Sequence, residues 1–332
     1  MKHQSLFRII AVLTIGVLQT NAQLAAPAGN ATAKIGKATA KIGKATAKIG
    51  KATAKIGKAT EFIRVDRDNK NVRLQTSVTS YIKDGISVDL IGAIHIADAE
   101  YYTQLNKEFK NYDALLFEMI GGDKINAGKP KDTKTKPKDP MIAMLGNVYG
   151  MVSKLLKLQS QKDGIDYTAK NFVHADLSLQ EFERLQTEKS ESLLGFVMQN
   201  QANAQKNGTA VKQPNMQKLL TAVLSGNANG IKLELVDTLG GAADQMAGMM
   251  GKSVIIGDRN KACLKVLNQQ VGAGKKKIGI FYGAAHFPDM EKDMLKMGYK
   301  KTGHRWLTAW DIPLAVAKPQ PKEEPAALPD AA

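Results

Sequence analysis

The chain has 332 residues, 43% of them hydrophobic, enough for one large or two smaller domains around a sizeable core. Its formal charge of +16 is uneven: residues 1–60 hold ten of the 47 Lys/Arg and no acid, leaving 37 bases against 31 acids in the rest. A body so mildly basic, without an aromatic-rich basic motif, argues against a nucleic-acid partner, and the single cysteine excludes an intrachain disulfide.

The first 22 residues have the three parts of a secretory signal: Lys2 and Arg8, an apolar run over Leu6–Leu18, and a small residue, Ala22, at a potential cleavage point. The run is short for a membrane span, and no other segment reaches that length. The expectation is a secreted or periplasmic protein with no stable membrane insertion after cleavage; an uncleaved anchor is the alternative. Residues 31–58 are four identical copies of Ala-Thr-Ala-Lys-Ile-Gly-Lys. One Ile per seven residues cannot build a core, so 23–60 reads as a disordered, Lys-rich linker.

A globular pattern covers 61–315. Val72–Ile82 and Ile86–Ala93 read as strands, Ala97–Lys110 as a helix and Ala114–Met119 as a buried strand. Residues 86–119 have the size of a right-handed parallel crossover. Residues 121–140, rich in Lys, Pro and Asp, read as a surface loop. Met141–Leu158, Leu179–Thr187, Leu193–Lys206, Asn215–Leu224 and Ile231–Met250 carry helical spacing and suggest a helical insertion over 141–250. Ser253–Gln269 continues as a helix, 278–282 is a strand, Pro288–Met297 a helix with Pro near its first turn, and Lys300–Trp310 the last strand. The Ala-, Pro- and Glu-rich residues 316–332 read as a disordered tail. The fold class is α/β: a parallel-rich central sheet flanked by helices, with the insertion between two related motifs.

Those motifs are Gly92-Ala93-Ile94-His95 with Asp98 and Glu100, and Gly283-Ala284-Ala285-His286 with Asp289 and Glu291. Gly, Ala, His, Asp and Glu recur at the same offsets, each time between an apolar strand and a helix. Ligands of open α/β sheets sit beyond the carboxyl ends of the strands, where His95, Glu118 and His286 all fall. Two imidazoles and one carboxylate leave an open position on a divalent ion, which would activate water; without metal, either histidine is a candidate general base oriented by Glu118. Asp98 and Asp289 read first as helix-start acids. Arg259 and Asn260 are candidates for holding a carboxylate or substrate anion, with an ion pair as the plain reading. His174 and Asp176 are possible additional ligands, although a structural His174 is the plainer alternative. Cys263 sits on a helical face and reads as a small buried hydrophobe. His304 lies in a polar strand and reads as exposed.

Taken together, the two Gly-x-x-His motifs, the strand ending in Glu118 and Asp258-Arg259-Asn260 resemble the TraB/TIKI family, including its bacterial GumN-like members, over roughly residues 70–312. That family is related in fold to erythromycin esterases and ChaN-like haem-binding proteins, and TIKI members are divalent-metal-dependent proteases. The resemblance implies a peptidase-like metallo-hydrolase acting on a peptide or protein, with His95, Glu118 and His286 at its centre and Arg259 supporting them. The ion, whether manganese, cobalt or zinc, is left open. The alternatives are a non-catalytic haem- or metal-binding protein and a metal-free esterase with a histidine base. His174-Ala175-Asp176 and the repeats lie outside the resemblance; the TIKI membrane anchor is missing, so its Wnt substrate is not carried over.

Overall fold

The computed structural model describes residues 60–122, 150–192, 214–246 and 253–314, with backbone alone for 241–246. The expected leader, repeat linker, C-terminal tail and helix over 193–206, and all but the first two residues of the 121–140 loop, lie outside these. The strands are β1 (Ile63–Arg67), β2 (Asn71–Lys83), β3 (Ile86–Ala93), β4 (Ile96–Ala97), β5 (Ala114–Phe117), β6 (Gln159–Ser160), β7 (Phe172–His174), β8 (Lys277–Gly283) and β9 (Lys300–Pro313). The helices are α1 (Ala99–Phe109), α2 (150–156), α3 (Gln161–Gly164), α4 (Leu179–Glu188), α5 (Met216–Leu224), α6 (Ala228–Met246), α7 (Arg259–Gly272) and α8 (Phe287–Lys296).

Seven strands form one mixed sheet in the order β1-β2-β3-β8-β5-β7, with β9 also on β2. β3, β8, β5 and β7 run parallel, while β1, β2, β3 and β9 pair antiparallel. The long β2 pairs β9 along one edge, and β1 followed by β3 along the other. A two-residue turn with positive φ at both Asp84 (48°) and Gly85 (75°) joins β2 to β3, the backbone that matches strand twist in a tight hairpin. β4 and β6 form a separate two-stranded ladder.

The inner strands alternate their apolar residues between two faces, and both faces are covered, as parallel sheets require. Ile91, Leu115, Phe117 and Phe281 pack with Tyr101, Tyr102, Leu105 and Phe109 of α1. Val88, Leu90, Leu116, Ile278 and Ile280 pack with Cys263, Leu264 and Leu267 of α7 and Phe287, Met290 and Met294 of α8. The core is therefore a three-layer α/β/α sandwich at its parallel end.

Three differences from the sequence reading have physical causes. First, the strand from the second motif enters the expected 86–119 crossover: β8 lies between β3 and β5 and pairs both in parallel, a long-range partner that local spacing does not encode. Second, the expected helical insertion contains β6 and β7, and β7 joins the main sheet; strands of two and three residues carry no readable period. Third, β1 adds a strand before Val72, its residues only half-buried and so lacking an apolar run.

Candidate active site

The first motif leaves β3 in a turn whose carbonyls are each taken by a distant group. Tyr101 Oη donates to the Gly92 carbonyl at 2.6 Å and Tyr102 Oη to that of Ile94 at 2.8 Å. The Gln161 N–H reaches the His95 carbonyl at 2.8 Å, and Trp310 Nε1–H that of Ile96 at 2.8 Å. The backbone of the turn is thus fixed while the His95 side chain is exposed. Its Nδ1 lies 3.0 Å from Gln161 Oε1. With an amide oxygen opposite it, Nδ1 is the protonated nitrogen and the lone pair sits on Nε2.

The second motif leaves β8 through a 3-10 turn (Ala284–His286) into α8. His286 is 3% exposed. Asn260 Nδ2 points at the His286 carbonyl (3.1 Å) and Asp289 Oδ2 (3.3 Å), both acceptors. That fixes the amide, so its Oδ1, 2.7 Å from His286 Nδ1, accepts the ring proton. His286 Nε2 lies 3.4 Å from Arg259 Nη1.

Between the two motifs lies Glu118, one residue past β5. Its Oε1 accepts from Arg259 Nη2 at 2.6 Å and lies 3.5 Å from His286 Nε2; its Oε2 accepts from the Gly283 N–H at 2.6 Å. A Cβ on Gly283 would stand 3.2 Å from that oxygen, so the first residue of the motif must be small for its N–H to approach. Arg259 opens α7 after a π-helical turn (Val254–Asp258). Its Nε and Nη2 grip Asp176 at 2.9 and 2.6 Å, and Nη1 also donates to the Ile255 carbonyl at 3.3 Å. Burial alone would raise the Glu118 pKa, but Arg259, then His286, and more weakly His95, hold it well below the usual carboxylate range. Burial likewise works against the Arg259 charge, yet Glu118 and Asp176 push its pKa up.

The two histidine motifs thus leave adjacent parallel strands side by side, with Ala93 opposite Gly283, and both imidazoles act on one carboxylate. Among the described residues no three His, Cys, Asp or Glu side chains are grouped as a cation requires. Glu118 Oε1 and His286 Nε2 face a guanidinium, and Glu118 Oε2 faces a peptide N–H. A divalent ion between those two donors would be set against the Arg259 charge. As the side chains stand, they do not fit a resident metal.

The other candidates have structural partners. His174 Nε2 donates to the Met119 carbonyl at 2.7 Å. Asp176, its side chain 0% exposed, is the second anchor of Arg259. The motif acids do not cap their helices by side chain: Asp98 takes Lys232 Nζ (3.2 Å) and the Asp311 N–H (2.7 Å), and Asp289 takes Asn260. Cys263 is buried, and burial pushes its thiol pKa up, as befits an inert core residue. His304 is exposed on β9, 2.9 Å from Thr79. The residue that motif reading missed is Gln161; it lies 66 positions from His95 in a polar stretch with no motif of its own. Among the described residues no helix is long and apolar enough to cross a membrane. Comparison with protein-family models, with curated proteins and with solved structures returned no match.

Proposed function

We propose that the chain is a hydrolase of peptide-like or ester carbonyls, working at the rim of β3, β8 and β5 with His95 as general base and with no resident metal. One observation carries this reading: His95 is exposed, its Nδ1 proton is held by Gln161, and its ring lies in the field of Glu118. In that tautomer Nε2 takes a proton from water as the water oxygen bonds to the carbonyl carbon. The proton then passes to the leaving nitrogen or oxygen as its bond to carbon breaks. Glu118, Arg259 and Asp176, counted as ions, carry one net negative charge beside the imidazolium formed in between. Glu118 itself is a poor base, because its pKa is held low. Arg259 and His286 keep that carboxylate ionised and in place, and Asn260 holds the His286 ring.

The test is cleavage of a peptide library and of simple aryl esters, with and without chelator. The expected result is hydrolysis that survives chelation and falls about 10²–10⁴-fold in His95→Ala. Unchanged turnover in that variant removes His95 as the base. Activity lost to chelator and restored by manganese, cobalt or zinc would replace this reading with the metal-dependent one that the TraB/TIKI resemblance implies. No hydrolysis, together with a visible absorption band on adding haem, would favour a binding protein. We further propose that the protein acts outside the cytoplasm, on the strength of the charged and then apolar run over residues 2–22, and that its sheet is of the TraB/TIKI-like kind, supported by the adjacent parallel strands that carry the two Gly-x-x-His turns.

A further inference from the structure

We infer that Gln161 is a positioning residue that fixes the tautomer of His95, with the proton on Nδ1 and the lone pair on Nε2; what that lone pair does rests on the reading of His95 as the base. Gln161 holds His95 at two points. Its N–H donates to the His95 carbonyl at 2.8 Å, and its Oε1 accepts from His95 Nδ1 at 3.0 Å. The grip is rigid. Gln161 is 8% exposed, and β6, which precedes it, pairs Ser160 with Ile96, the residue after His95. Its amide is held in turn, because Nε2 donates to Tyr167 Oη at 2.9 Å. Tyr167 is buried, with its ring 5.3 Å from Phe117 and 5.9 Å from Phe172.

The second motif repeats the device with a different residue. Asn260 Oδ1 accepts from His286 Nδ1 at 2.7 Å, and Asn260 Nδ2 donates to the His286 carbonyl at 3.1 Å. In each motif one carboxamide residue therefore binds both the ring and the backbone carbonyl of its histidine. The two carboxamides come from unrelated elements, a single helical turn and the start of α7, so the likeness lies in the chemistry and not in repetition of sequence. An imidazole left to itself favours the proton on Nε2, which would leave an N–H, and not a base, at that atom. The Gln161 oxygen reverses that preference.

The test is tautomer assignment by long-range proton–nitrogen NMR on the full chain with nitrogen-15-labelled histidine, read on the neutral His95 ring. Wild type is expected to carry the proton on Nδ1. Gln161→Leu removes the acceptor and should move the major population to Nε2–H, with kcat on the hydrolysed substrate down about a hundredfold and KM little changed. Gln161→Glu keeps an acceptor at the same place and should retain the Nδ1–H form. Tyr167→Phe, which removes one hydroxyl and leaves the ring packing, should give a partial shift and serves if the leucine variant does not fold. A His95 ring that stays Nδ1–H in both Gln161→Leu and Tyr167→Phe overturns the inference. A tautomer that shifts as expected while wild type hydrolyses nothing leaves the positioning role standing and removes the base.

Discussion

Arg259 uses its whole planar fork: Nε and Nη2 donate to Asp176, Nη2 also to Glu118, and Nη1 to the Ile255 carbonyl. A lysine there supplies the charge without the fork. Arg259→Lys is therefore expected to leave buried carboxylate oxygens unpaired and to cost about 3–5 kcal/mol, read by urea denaturation. Glu118 makes the same point through pH. Its folded pKa lies well below the ordinary 4.5, so its ionisation stabilises the fold in full above that pH and loses effect as pH falls through the depressed native value. Glu118→Gln should accordingly be less stable than wild type at pH 7, with the gap closing on acidification below pH 4.5. A gap that stays constant with pH would mean that the charge contributes nothing. Glu118 and both histidines were legible in the sequence because each interrupts or ends an apolar run, where a polar group needs a partner. Gln161 was not, since an uncharged side chain in a polar stretch breaks no pattern.

At the level of elements, α6 is tied to the first motif by a lysine that is only 5% exposed. Lys232 Nζ meets Asp98 Oδ1, while Asp98 Oδ2 also accepts the Asp311 N–H of β9. One carboxylate thus joins the start of α1, the helix α6 and the last strand. Asp98→Ala strands a buried ammonium and is expected to cost about 3–5 kcal/mol; Lys232→Met replaces the charge with an apolar chain of similar length and should cost far less. Thermal unfolding of the two variants checks the order, and equal losses would count against it. The helices that sequence periodicity located, α1 and α8, have a solvent side, whereas β2 is buried without interruption over residues 74–79. The inner strands β3, β5 and β8 showed as apolar runs, because both of their faces are buried. Asp98 does stand at the start of α1, as a helix-start acid should; its side-chain partners, Lys232 and the Asp311 N–H, are too distant in sequence to be read from it.

For the whole molecule, the α/β class followed from alternating runs, but the strand order did not. Register between β3 and β8 is set by contacts across nearly two hundred residues, such as Ala93 opposite Gly283, and no local pattern encodes such a partner. The order matters for stability. Deleting the chain from Lys277 onward would remove β8, α8 and β9, leaving β3 and β5 without the strand that pairs both. Unpaired edges of that kind associate. Such a truncated chain should appear as oligomers or aggregate by size-exclusion chromatography, where the full chain runs as a discrete species.

The same insertion dictates when the molecule becomes competent. A nascent chain emerging from the ribosome presents both flanking strands first and must keep them waiting until β8 arrives, about 160 residues after β5. β8 brings the Gly283 amide, and the turn after it His286, so filling the gap between β3 and β5 and completing the electrostatics around Glu118 are a single event. No partially synthesised form that stops before His286 can hold the finished site, and whatever the crevice acts on is out of reach until β8 and the turn after it have been made.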